Sequence, residues 1–136
     1  MKYFLIIVLS LLPFCASAQQ SQADKEKEKE EKQMREMIDK MVETLEDNLK
    51  LEDWQLFYAD SILTHDYAEM TAELQALNKA KVSNPIAYEK AQDKWMEQIY
   101  QAFHKVFDEE QWAKYLKQGA ARDKKARDKR MAKYAK

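Results

Sequence analysis

Residues 51–55 read "LEDWQ" and residues 107–111 read "FDEEQ". Each copy is an apolar residue, an acid, two variable residues and a glutamine. That is the spacing of a capping box. An acid at the N-cap accepts a first-turn backbone N–H, and a glutamine three positions on reaches back to the N–H of the cap residue. Asp108 with Gln111 fits this scheme directly. Glu52 with Gln55 fits less well, because Glu is a poor N-cap, and Asp53 competes for the role. Leu51 and Phe107, one position earlier, are placed to pack on the first turn as staples. The repeat therefore predicts two helix starts.

The chain as a whole has the composition of an all-α protein. It contains one glycine, Gly119, and two prolines, of which Pro85 alone lies beyond the first twenty residues. Hairpins and strands need more turn residues than that, whereas Ala, Leu, Met, Glu, Lys and Gln favour helix. Met34, Ile38, Met41, Leu45 and Leu49 mark one apolar stripe, on a helix expected to close near Asn48. A second helix, expected over 52–82, carries Leu56, Leu63, Tyr67, Met70, Leu74 and Leu77. A neighbouring stripe of Trp54, Tyr58, Ile62 and His65 widens its first half, which implies two packing neighbours there. The narrower second half implies one partner, in coiled-coil fashion. "SNP" at 83–85 is a boundary, with Pro85 at a first helical position and Ser83 or Asn84 as cap. The third helix aligns Tyr88, Trp95, Ile99, Phe103 and Val106. The last starts at "FDEEQ", packs Trp112, Tyr115 and Leu116, and loses its apolar face at Gly119. The expected architecture is an elongated antiparallel helical hairpin of about four helices.

The first twenty residues, "MKYFLIIVLSLLPFCASAQQ", have the charged start, short apolar run and A-x-A site of a secretory signal peptide. Cleavage is expected after Ala18, giving a periplasmic or secreted protein; bulky Phe14 before Cys15 argues against lipidation. Cleavage also removes the only cysteine. The remaining segments are a charged arm over 19–33, a helical domain over 34–118 and a basic helix end over 119–136. Residues 36–75 hold eleven acids against Lys40 and Lys50, while residues 76–136 hold fifteen bases against eight acids. An acidic middle and a basic end favour antiparallel self-association, with a homodimer expected.

Catalytic parts are missing from this pattern. There is no thiol after cleavage and no glycine-rich loop for phosphate, and Ser61 with His65 is simply a one-turn neighbour pair. No cofactor is expected. His65 with Glu69 and His104 with Asp108 repeat a one-turn spacing that two antiparallel helices can bring together around a metal; packing beside aromatic residues is the preferred reading. Met34, Met37 and Met41 fit the apolar face better than a copper site. The aromatic residues between Trp54 and Tyr115 exceed what a thin helical body hides. Tyr88 and Trp95, flanked by Lys90, Lys94, Lys105 and Lys114, are therefore the candidates for a client-binding surface. From Arg122 to Lys136 the tail holds eight bases and two acids. Its Arg122, Lys125 and Lys129 share a face suited to peripheral membrane contact, with a solvated helix end as the simpler reading. A secreted address argues against nucleic acid.

A secreted, cysteine-free helical chain with Leu51 and Gln55, then Phe107 and Gln111, resembles the Spy/CpxP family of periplasmic proteins, marked by paired L-T-x-x-Q motifs. The likeness covers roughly residues 34–118. Glu52 and Asp108 stand where that pattern has threonine, and Phe107 where it has the second leucine. The resemblance implies a cradle-shaped dimer of helical hairpins, ATP-independent chaperone activity or an envelope-stress role, unfolded or envelope proteins as partners, and a link to zinc in some relatives. The rival expectation is a structural or regulatory adaptor docking on an envelope partner.

Overall fold

The computed structural model describes residues 15–136, with side-chain surroundings from Ser21 onward. The expected leader and its cleavage site at Ala18 lie outside the residues whose side chains are described. The chain divides into two compact units, 1–34 and 35–136. In the first, the described residues belong to helix α1 (Cys15–Leu49). Residues 21–33 are exposed all round, with a one-turn Lys27–Glu31 pair at 3.8 Å. A sequence without apolar periodicity has no face to bury, and this one buries none.

Every regular element of the described residues is helical. The second unit contains the end of α1, then α2 (Asp53–Lys79), α3 (Pro85–Val106), α4 (Glu109–Tyr115) and α5 (Ala121–Tyr134). The fold class is all-α. Ile38, Leu45 and Leu49 of α1 are buried, as their spacing predicts. The helix closes one step later than expected. Lys50, not Asn48, takes the left-handed conformation (φ 56°), because the stripe needs Leu49 on its inner face before the chain turns. Lys50 N–H still bonds Glu46 C=O at 2.8 Å.

Helices α2 and α3 form an antiparallel hairpin, registered by polar contacts along its length. Gln55 reaches the Val106 carbonyl (3.0 Å), Gln98 donates to Asp66 (3.0 Å), and Trp95 Nε1 donates to Glu73 (2.6 Å). Glu73 also pairs with Lys94. Lys94 first, then Trp95, holds the Glu73 carboxyl below its ordinary value of 4.5. The stabilisation from this group is present above that value and lost as pH falls through the lowered one. The hairpin turn comes earlier than Val82. Lys81 adopts φ 54° and Val82 N–H bonds back to Leu77 C=O at 3.1 Å, a Schellman closure. Asn84 caps α3 through the Ile86 N–H (3.0 Å) with Pro85 at the first position. Tyr88 Oη donates to the Val82 carbonyl at 2.9 Å and ties the turn to the helix.

The C-terminal segment departs most from expectation. The chain kinks within Leu116–Ala120, where Gly119 leaves helical geometry at φ 124° and ψ −16°. This redirects the chain so that α5 runs back along α3, antiparallel to it. Arg130 grips Asp93 bidentately (2.8 and 2.7 Å), and Arg127 and Lys124 meet Glu97 at 3.3 and 3.4 Å. Tyr134 bonds Glu89, and Lys90 lies over the Tyr134 ring at 5.5 Å. The tail is thus not a solvated end. Its inner face is Lys124, Arg127 and Arg130, while Arg122, Lys125 and Lys129 remain outside. Acids one turn apart on α3 select that inner face.

A Cβ at Gly119 would meet only Arg122 Nη2, at 3.6 Å, an ordinary contact. The cost of Gly119→Ala is therefore conformational, about 1–3 kcal/mol for a side chain held at such a φ. Urea denaturation should show that loss; an unchanged midpoint would mean the turn is not required for α5 to dock.

Candidate functional site

The site begins with the two capping boxes. At the second, Gln111 N–H donates to Asp108 Oδ1 (2.8 Å) and Asp108 N–H to Gln111 Oε1 (3.0 Å), so both arms are closed. At the first, Glu52, not Asp53, is the N-cap. Glu52 N–H donates to Gln55 Oε1 at 2.9 Å. The Glu52 carboxylate lies in the box arrangement, but its best hydrogen bond is from Trp54 Nε1, at 2.7 Å. The longer Glu side chain reaches past the cap, which explains why it serves as a weaker one.

The two boxes then join. Gln55 Nε2 donates to Gln111 Oε1 (2.7 Å) and Gln111 Nε2 to Gln55 Oε1 (3.0 Å), across 56 residues of sequence. Both side chains are buried, at 3% and 7% exposure. Gln55 satisfies its whole amide: its oxygen accepts from Glu52 and Gln111, and its nitrogen donates to Gln111 and Val106. Leu51 and Phe107, the apolar leads of the two motifs, are buried too. Around the pair, Phe107 stacks on Phe103 at 5.0 Å and Tyr115 packs edge-on to both, at 5.6 and 5.7 Å. Burial pushes the Tyr115 hydroxyl up to about 12.

With Gln55, Ala59, Leu63 and Asp66 turned inward, the opposite face of α2 is forced outward. Trp54, Phe57 and Tyr58 stand exposed at 50%, 69% and 51%. Tyr58 meets Trp54 edge-on at 6.2 Å and 78°, and Phe57 at 5.8 Å and 81°. Glu52 holds the indole. Of the second stripe, Trp54 and Tyr58 join Phe57 in an aromatic ridge facing solvent, while Ile62 is half-buried and His65 lies against Trp95; α2 meets α1 through Arg35, with Asp60 and Thr64, and α3 along the hairpin.

The other candidates fall into different places. Trp95 and Tyr88 are half-buried and spend their polar atoms on Glu73 and Val82. Lys94 is paired with Glu73, Lys114 with Glu110 at 2.8 Å, and Lys90 covers Tyr134; Lys105 is exposed. Lys94 Nζ also lies over the Trp95 ring at 4.7 Å, so base and aromatic meet at that point of the hairpin, while Tyr88 is tied to the turn. His65 bonds Asp66 through Nδ1 (2.8 Å), which raises its pKa above 6.5, and lies edge-on to Trp95. His104 stacks on Trp112 at 4.3 Å, and Asp108 is occupied as a cap. The two histidine pairs, Glu69 included, do not converge. No group of three or more His, Cys, Asp or Glu gathers among the described residues.

A groove of about 320 Å³ lies between α3 and α5, lined by Asp93, Lys94, Glu97, Lys124, Arg127, Asp128 and Met131. Within it Lys124 pairs with Glu97 and Asp128 and Arg127 with Glu97, while Asp93 pairs with Arg130 and Lys94 with Glu73 outside the lining; Arg127 also lies over the Tyr100 ring at 5.5 Å, which accounts for an Nε without a hydrogen bond. Sequence reasoning missed Asp66, Asp93, Arg127 and Arg130. For the arginines a signal existed in the three-residue step Lys124, Arg127, Arg130; for the buried aspartates there was none.

No family model, curated protein or solved structure matches the chain. No helix among the described residues is long and apolar enough to cross a membrane.

Asp108→Ala should cost about 1 kcal/mol, the usual value of a lost N-cap. Glu52→Ala should cost less, because its carboxylate serves Trp54 rather than the helix start. Equal denaturation midpoints for the two variants would show that the boxes are equivalent and that the Trp54 contact is incidental.

Proposed function

We propose that this protein is a binding protein rather than an enzyme. In this reading it captures apolar segments of unfolded or envelope proteins without nucleotide, in the periplasm or secreted space, in the manner implied by its resemblance to the Spy/CpxP family. The observation that carries the reading is the ridge of Trp54, Phe57 and Tyr58 on a helix start fixed from behind by Gln55. A contiguous exposed aromatic patch marks an interaction site far more often than scattered exposure does. The rings are held by each other and by Glu52, so little side-chain entropy remains to be lost on binding.

Magnitude favours transient capture. Three aromatic side chains of about 200 Å² each, roughly half exposed, offer about 300 Å² for burial. At about 25 cal/mol per Å² that is about 7 kcal/mol, against an association cost of about 4–15 kcal/mol. The ridge alone holds a client weakly and releases it without an energy source. Self-association belongs to the proposal as well. Tyr67, Met70, Leu74 and Leu77 are only half-buried within one chain and suit a homodimer seam. The exposed Arg122, Lys125 and Lys129 favour the rival adaptor reading, since they form a charged outer face, while Met131 lies on the groove side of the helix.

The test is light scattering of a reduced, aggregating model protein. The wild-type chain should suppress aggregation in molar excess, and Phe57→Ser with Tyr58→Ser should abolish most of that effect while leaving the circular dichroism spectrum unchanged. Failure of the wild-type chain to suppress would sink the client-binding reading and promote the adaptor.

A further inference from the structure

The surroundings of the ridge carry a sign. Residues 46–60 hold Glu46, Asp47, Glu52, Asp53 and Asp60 against the single base Lys50. Arg35 neutralises Asp60 (2.7 Å) and Asp39 (2.6 Å) on the α1 side. Among the described residues no ion pair reaches Glu46, Asp47, Glu52 or Asp53. Asp53 lies one turn before Phe57 on the same helix face, and the Glu52 carboxylate is fixed at the edge of the Trp54 indole. Of the lysines that would give a positive surface, Lys94 is tied to Glu73, Lys114 to Glu110 and Lys90 to the Tyr134 ring, which leaves exposed Lys105, beside the Val106 that Gln55 holds, as the base of α3 nearest the start of α2.

The rings add to this. Tyr58 stands nearly perpendicular to both Trp54 and Phe57, so the ridge presents π-faces in more than one direction. An aromatic face attracts a cation through its quadrupole. Carboxylates beside those faces strengthen the same preference and repel anions. Anionic lipid and acidic peptide are therefore poor partners for this surface, and a chain carrying Arg or Lys beside apolar side chains is a good one.

We propose that the ridge is selective for cationic–apolar polypeptide segments, with the arginine or lysine head lying between the aromatic faces and the Glu52 and Asp53 carboxylates while adjacent apolar side chains cover Phe57 and Tyr58. This rests on the client-binding reading above and names its substrate class. Capture is accelerated by attraction over the screening length and held by apolar contact. The sign is opposite to that expected from Lys90, Lys94, Lys105 and Lys114.

The experiment is fluorescence anisotropy of two labelled peptides identical in length and apolar content, one with arginine and one with glutamate at alternate positions. At low ionic strength the arginine peptide should bind about tenfold more tightly, and the difference should shrink towards unity at 1 M salt, where the screening length falls to about 3 Å. Asp53→Asn should narrow the preference severalfold, and Phe57→Ser should weaken both peptides. Equal affinities, or a preference for glutamate, would overturn the charge selectivity while leaving aggregation suppression by the ridge intact as a separate result. The basic outer face of α5 in a second copy is the competing occupant. Sedimentation in which Phe57→Ser converts a dimer to a monomer, with no peptide of either sign bound by the wild type, would assign the ridge to self-association and overturn the proposal.

Discussion

Two buried glutamines, Gln55 and Gln111, hold each other by paired amide hydrogen bonds while each also closes a capping box. A buried amide left without partners costs about 1–3 kcal/mol, so the two helix starts cannot separate, or rotate about their axes, without exposing or orphaning these groups. The consequence is geometric. The start of α2 and the start of α4 are fixed against each other and against the Val106 carbonyl at the end of α3. Leu51 and Phe107 enter the core because the residues four positions after them are already anchored there.

The outward face follows from the inward one. A helix that commits Gln55, Ala59, Leu63 and Asp66 to its buried side must present Trp54, Phe57 and Tyr58 on the other. The same short motif thus builds a rigid joint and an exposed binding surface from consecutive residues. Distal to the joint, the hairpin is registered by single polar contacts, and α5 is held on α3 by Arg130 with Asp93 and Arg127 with Glu97. These ion pairs place one partner in a buried setting, where removing either leaves a charge without compensation.

Much of this was legible in the sequence, for reasons that particular residues make clear. Helix starts were readable because capping is local chemistry: Asp108 with Gln111 and Asn84 with Pro85 decide within four residues. Ile38, Leu45, Leu49, Ile99 and Phe103 were readable because burial repeats with the helix period. The Gln55–Gln111 bond was not, since nothing local says that two capping glutamines face each other across 56 residues. Lysines near Trp95 and Tyr88 in sequence point to an aromatic surface there; Lys94 does lie over the Trp95 ring, while the bonds to Glu73 and to the Val82 carbonyl leave both aromatic side chains half-buried. Trp54 and Tyr58 carry the periodicity of a packed stripe, yet they stand half exposed and meet each other edge-on. The tail misled for a related reason: its bases look solvated until the acids of α3 are seen to match their spacing.

Gln55 and Gln111 act as one unit, and a double-mutant cycle measures this directly. Gln55→Ala, Gln111→Ala and the double variant would be compared by urea denaturation. If the amides are paired, the second substitution costs much less once the first is made, and the double variant falls short of the summed single losses by about 1–3 kcal/mol. Losses that add to within about 0.5 kcal/mol would mean that each glutamine serves only its own helix start, and would contradict the account.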